Sequence, residues 1–113
     1  MTKGAIVKAK KGYQQGDVIL RRKRSMPKDP KRLSPAVRGY ILAEGEATGH
    51  AHVLDVEACE MYEKDGIIWV KVIEPAKLRH EEHHEQVIAP GVYQLGRVTE
   101  VDPFTEETRR VQD

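Results

Sequence analysis

Histidine and glutamate residues are concentrated in two short segments of this sequence. All five histidines lie in "GHAHVL" (49–54) and "HEEHHE" (80–85). His50 and His52 are two positions apart, which places both imidazoles on one face of a strand. Neutral imidazoles bind zinc and related metals, and carboxylates often complete such sites. The pattern therefore predicts a site for a divalent transition metal, namely Zn, Mn, Ni or Fe.

The predicted ligands come from both segments, on the assumption that residues 78–84 form one strand. That strand places His80, Glu82 and His84 on one face and His83 on the other, unless a bulge intervenes. The resulting ligand set is His50, His52, His80 and His84, with Glu57 or Glu82 as an oxygen ligand. Glu82 is also the candidate catalytic general base. On this assignment, loss of His52 should abolish metal binding and loss of His83 should have little effect.

Other chemistry can be assigned to the same residues. His80-Glu81-x-x-His84 matches a zinc-protease signature, which requires a helix. Residues 79–86 are all polar, so such a helix would have no apolar face to pack against a core. Metal-free proton transfer by a histidine and glutamate cluster, and a structural role in a solvated loop, both remain open.

The elements that must position these residues are short strands. Runs rich in Val, Ile, Tyr or Trp alternate with turn residues, and Asp65-Gly66 is typical of a tight hairpin. We therefore predict one all-β domain over 1–113, either a small barrel or a cupin-like sandwich of six to eight strands. A short C-terminal helix is predicted to begin near Asp102-Pro103. The basic, proline-rich segment 23–38 is predicted to be a loop.

Charge is distributed unevenly along the chain. Residues 1–38 contain 12 Lys or Arg and two Asp, a balance of +10, whereas the rest of the chain balances at −9. A basic arm of this kind predicts an anionic partner, which could be a nucleic acid, although no aromatic stacking platform accompanies these basic residues. The alternative function is a non-enzymatic binding or assembly module, such as a homo-oligomer whose unlike charges meet. One cysteine, no leader-like apolar run and no membrane-length segment predict a cytoplasmic protein without a membrane partner.

Two resemblances accompany these patterns. "GEATGHAH", "LRHEEH", "APGVY" and the closing "DPF…RRVQD" resemble a family of small bacterial and phage proteins with no established activity, over about three quarters of the chain. His50, His52 and Glu57 are similar in spacing to the first metal-binding motif of cupins. That resemblance implies a metal-binding β-barrel, with His80 or His84 replacing the ligand that the second cupin motif would supply after Pro90-Gly91.

Overall fold

The chain folds into β-strands joined by short turns. The computed structural model describes residues 11–45 and 49–97. Within these ranges there are ten strands and no helix: β1 (Gly12–Gln15), β2 (Val18–Lys23), β3 (Lys31–Leu33), β4 (Tyr40–Glu44), β5 (Ala51–Leu54), β6 (Cys59–Lys64), β7 (Ile67–Val72), β8 (Ala76–His80), β9 (His83–Ile88) and β10 (Gly91–Arg97). The described part of the chain has no helix with the length and hydrophobicity to cross a membrane.

The strands form two antiparallel sheets in a sandwich-like arrangement. One sheet has the order β1-β2-β10-β7-β6-β3 and the other β4-β5-β8-β9. Alternate residues of both sheets point into one shared core, which includes Leu20, Leu54, Val70, Leu78 and Tyr93. The all-β prediction is confirmed and the arrangement is sandwich-like, but the described residues form ten strands instead of the predicted six to eight. The barrel version is wrong, because the strands separate into two sheets instead of closing into one. The predicted helix near 102–103 lies outside the described residues.

The hairpin predicted at Asp65-Gly66 is confirmed. Both residues have positive φ, 52° and 80°, as a type I′ turn requires. The turn joins β6 to β7 and sets their register, in which Tyr62 pairs with Trp69.

The basic segment 23–38 is more ordered than the predicted loop. Residues Lys31–Leu33 form β3, which pairs with β6 so that Leu33 lies opposite Met61. Leu33 packs against the core. This three-residue strand at the edge of its sheet is too short for a composition-based prediction to find.

Candidate metal site

The second histidine segment is a hairpin and not the single strand that we predicted. β8 ends at His80, β9 begins at His83, and Glu81 and Glu82 form the two-residue turn. His80 and His83 are directly paired across the hairpin, so their side chains lie on the same face. The protease helix is likewise wrong for this segment.

A bulge on β9 decides which histidine faces the site. Leu78 pairs with Gln86 but His80 pairs with His83, so β9 contains one residue more than β8 between these two pairs. The extra residue reverses the strand alternation expected from the sequence. As a result His83, and not His84, points in the same direction as His80.

Three imidazoles converge where this hairpin meets β5. One nitrogen from each of His52, His80 and His83 lies within 4.8 Å of the other two. The ring centroid of His80 is 4.2 Å from that of His52 and 4.6 Å from that of His83. Nitrogens bound to one tetrahedral zinc ion are about 3.3 Å apart, given Zn–N bonds of about 2.0 Å. A modest inward movement of the rings would therefore let all three bind one ion.

Gln15 holds the deepest of these imidazoles in one orientation. Its side-chain amide donates to the backbone oxygens of Leu78 (3.0 Å) and His84 (2.9 Å). Because both partners are acceptors, the amide nitrogen must point toward them. Its Oε1 atom lies 2.8 Å from Nδ1 of His52 and must accept that N–H. The lone pair of neutral His52 is therefore on Nε2. Gln15 and His52 are the two buried polar residues in the described ranges, at 2% and 5% exposure.

Asp17 lies beside the nitrogen that carries this lone pair. Its Oδ1 atom is 3.5 Å from Nε2 of His52, and its Oδ2 atom accepts two hydrogen bonds from the guanidinium of Arg97. The hydrogen bond from Arg97 is the main reason that the pKa of Asp17 is lowered. Burial, and next the charge of nearby His80, lower the pKa of His52, with Asp17 opposing them. The Nε2 lone pair of His52 thus faces the carboxylate of Asp17, although burial disfavours protonation of the ring. A metal cation at this position would be attracted by both groups.

Gly16 allows the β1–β2 turn to approach the histidines closely. Its φ is +57°, and a Cβ atom there would lie 2.7 Å from Nε2 of His83 and 3.1 Å from Cε1 of His52. Both the backbone conformation and the close approach therefore favour glycine at this position, because a side chain here would displace the His83 ring. The turn places Gln15 beside Nδ1 and Asp17 beside Nε2 of the His52 ring.

His80 makes a hydrogen bond that would break if the ring bound a metal. Its Nδ1 atom accepts the backbone N–H of Glu82 at 3.0 Å, which leaves the proton of a neutral ring on Nε2. Coordination through Nε2 would move that proton to Nδ1, and coordination through Nδ1 would use the accepting lone pair. Either way, the Glu82 N–H would lose its acceptor.

Glu81 anchors the hairpin turn to the rest of the domain. Its carboxylate accepts the backbone N–H of Ala51 at 3.0 Å and pairs with Arg38 at 2.9 Å. The hydrogen bond from Ala51 is the first cause of the lowered pKa of Glu81. These contacts hold the turn beside the first residues of β5, which explains how His80 and His83 are brought to His52.

The remaining predicted ligands lie at different distances from the triad of His52, His80 and His83. His50 is next to His80, with ring centroids 5.8 Å apart, and its Nδ1 is 3.6 Å from the carboxylate of Glu82. His84 is exposed on β9 and contributes its backbone oxygen to Gln15. Glu57 lines a separate cavity together with Arg38 and Asp55. Of the predicted set, the structure brings His52 and His80 together, keeps His50 and Glu82 at the margin, and separates Glu57.

The triad opens into a cavity of about 200 Å³. Its described lining includes the triad, the carboxylates of Asp17, Glu44 and Glu82, and the guanidinium of Arg97. Such a volume accommodates a few water molecules or a small ligand. A metal ion on the triad would therefore be reachable from solvent.

Sequence reasoning missed Gln15, Gly16, Asp17 and Arg97 as parts of this site. The sequence marks the first three only as a turn, because "QQGD" contains a glycine followed by a carboxylate between residues that form strands. Nothing in that stretch indicates its position opposite the histidines, because Gln15 contacts His52, 37 positions away, and the backbone oxygens of Leu78 and His84, more than 60 positions away.

Comparison with known proteins gives a family but no activity. A family model described as "Domain of unknown function (DUF8820)" matches residues 14–98. Neither a curated protein nor a solved structure matches the chain, so the resemblance to cupins stays a prediction. The matched range includes every described residue of the site, from Gln15 to Arg97.

Proposed function

Because the chain belongs to the DUF8820 domain family, whose function is unknown, we propose from the site itself that it is a divalent transition-metal-binding domain. The observation that carries the proposal is the convergence of three imidazole nitrogens within 4.8 Å. Three imidazoles suit Zn, Mn, Ni and Fe, and a three-histidine set leaves at least one coordination position for water or substrate.

Two features of the surroundings support metal over a structural histidine cluster. Gln15 directs the unprotonated Nε2 of His52 into the cluster, as outer hydrogen-bond partners do for metal-binding histidines. Burial also disfavours protonation of His52, so without a cation its Nε2 lone pair faces the carboxylate of Asp17. A divalent ion would remove this repulsion.

A second proposal concerns reactivity, and the cavity favours it. A divalent metal lowers the pKa of a bound water to near neutral in hydrolytic zinc sites. Asp17 is the carboxylate placed to accept a proton from such a water, because Arg97 occupies Oδ2 and leaves Oδ1 toward the cluster. Glu82, our sequence-based choice for the general base, lines the same cavity, but its carboxylate lies beside His50 at 3.6 Å and its side chain is more exposed than that of Asp17, 67% against 48%. We therefore propose metal-dependent hydrolysis with Asp17 as the general base.

Metal content tests the first proposal directly. Protein purified without a histidine tag is stripped with a chelator, dialysed against Zn, Mn, Ni or Fe(II), and analysed by elemental analysis and thermal unfolding. We expect about one metal per chain and a higher Tm, since a ligand that binds only the folded state stabilises it. His52→Ala should lose both effects. Metal well below one equivalent, with no change in Tm for any of the four, would reject the proposal.

Hydrolysis of chromogenic esters and phosphodiesters by the metal-loaded protein tests the second. Asp17→Asn should keep the metal and lose most of any activity, whereas Glu82→Gln should keep both. Loss of metal from Asp17→Asn would instead make Asp17 a ligand. Equal activity of Asp17→Asn and the wild-type protein would reject its role as base.

A further inference from the structure

The outward face of the six-stranded sheet carries a row of aromatic and cationic side chains. Strand pairing places Arg21 opposite Gln94, and Gln94 opposite Trp69. Trp69 is opposite Tyr62, and Tyr62 is opposite Arg32. Directly paired residues share one face of a sheet. The five residues therefore form one row across β2, β10, β7, β6 and β3.

This row faces away from the core. The chain neighbours of its members include Leu20, Tyr93, Val70, Met61 and Leu33, which pack in or against the core between the sheets. Strand alternation then points the row in the opposite direction. Trp69, Tyr62, Arg21 and Gln94 are half-buried and Arg32 is exposed, as expected of side chains lying on a sheet surface.

More cations surround the row. In the adjacent row of the same face, Lys23 and Lys71 lie on either side of Val92. Glu60 is the acidic residue next to them, and it already accepts the Tyr62 hydroxyl and lies 3.8 Å from Arg32. Near the β2 end of the row is a cleft of about 730 Å³ whose described lining is entirely Lys or Arg: Lys11, Arg21, Arg22, Lys23 and Arg24. Arg21 and Lys23 belong to the outward face, whereas Arg22 alternates to the other side of the sheet and donates to the Tyr93 hydroxyl and the Pro90 oxygen.

We propose that this face binds single-stranded nucleic acid. Trp69 and Tyr62 would stack against unpaired bases, and the surrounding Lys and Arg side chains would contact the phosphates. With strands about 4.8 Å apart, the row is about 19 Å long, which is enough for a few nucleotides. The Arg32 guanidinium, 5.6 Å from the Tyr62 ring centroid, could also stack against a base.

The combination of residues favours a single strand over other anionic partners. Aromatic rings can stack only on bases whose faces are free, and the bases of a duplex are already stacked. An acidic protein would use the cations but would not require two aromatic rings between them. The sequence shows no stacking platform beside the basic residues because Tyr62 and Trp69 lie 41 and 48 positions after Arg21. Strand pairing brings these groups to one face.

Fluorescence anisotropy of a labelled 12-nucleotide oligothymidylate tests the proposal. We expect binding at low salt that weakens as salt rises, by about 0.7 log units per tenfold salt for each phosphate contacted. Trp69→Leu and Tyr62→Leu should each weaken binding about fivefold or more. Trp69→Phe and Tyr62→Phe, which retain a ring, should lose less. A duplex of equal length should compete poorly.

Charge reversal provides a matched control. Lys71→Glu lies in the proposed face, and Lys77→Glu makes the same change at an exposed residue of β8 in the other sheet. The first should weaken binding and reduce the salt dependence, and the second should do neither. Circular dichroism and thermal unfolding verify that each variant is folded.

Three results would overturn the proposal. One is no binding at low salt. Another is wild-type affinity in folded Trp69→Leu and Tyr62→Leu variants. The last is equal competition by duplex or heparin, which would indicate a general polyanion surface without base stacking. None of these results depends on whether the histidine triad holds a metal.

Discussion

Gln15→Leu should damage both the stability of the fold and the affinity of the metal site. Gln15 is buried and makes three hydrogen bonds, to the oxygens of Leu78 and His84 and from Nδ1 of His52. Leucine has a similar volume but makes none of them. The His84 carbonyl is only partly buried and can bond to water, whereas the Leu78 oxygen and the His52 N–H would lose their partner inside the protein.

The loss of stability in Gln15→Leu follows from the Leu78 oxygen and the His52 N–H. An unsatisfied buried polar group costs about 1–3 kcal/mol, so the loss should be about 3 kcal/mol after allowing for the added apolar surface. That is a large part of the roughly 5–15 kcal/mol of a typical domain, and it corresponds to a decrease in Tm of about 12 °C at this chain length. Zinc affinity should fall about 10- to 100-fold, because His52 would no longer be held with Nε2 toward the cluster.

Denaturant unfolding of the metal-free protein and calorimetric zinc titration measure the two losses separately. Gln14→Leu is the matched control: it makes the same chemical change one residue away, at an exposed side chain bonded to Gly16. It should leave both quantities nearly unchanged. If Gln15→Leu has the Tm and zinc affinity of the control, the role assigned to Gln15 is refuted.

Three further predictions concern single groups. Zinc should shift the backbone amide signal of Glu82 in ¹⁵N NMR spectra and reduce its protection from exchange, because either mode of coordination removes its imidazole acceptor; an unchanged signal in zinc-saturated protein would contradict this. In the metal-free protein, burial lowers the pKa of His52 below 6.5. As pH falls, the unfolded chain therefore takes up a proton on His52 at a higher pH than the folded protein does. The free energy of unfolding should then decrease as pH falls below about 6.5, and it should decrease less steeply in His52→Gln. Burial raises the pKa of Cys59 to about 12 and its Sγ donates to the Asp55 oxygen, so a disulfide reagent at pH 8 should modify it only after unfolding; rapid modification of the native protein would show that it is accessible.

The fold class could be predicted because most strands carry a local signal. β7 alternates buried Val70 and Val72 with outward residues, and Asp65-Gly66 marks the turn before it. β1 gives no such signal, since one of its two buried residues is Gln15, whose hydrogen-bond partners lie far along the chain.

The candidate site was only partly predictable for a similar reason. The histidine content of the two segments indicated a metal site, and His52 and His80 do converge. The choice between His83 and His84 depended on register, which a two-residue Glu81-Glu82 turn and a bulge on β9 determine. Neither glutamate is a typical hairpin-turn residue, so the local sequence favours a continuous strand. The anchoring of Glu81 to Ala51 and Arg38 explains why the turn forms there nevertheless.

The most direct test of the metal site compares two adjacent histidines. His83→Ala and His84→Ala remove the same side chain from neighbouring positions of β9, but one imidazole belongs to the triad and the other does not. After reconstitution with zinc, elemental analysis should find about one metal per chain in the wild-type protein and in His84→Ala, and far less in His83→Ala. Equal metal content in the two variants, or loss from His84→Ala alone, would contradict the three-histidine site.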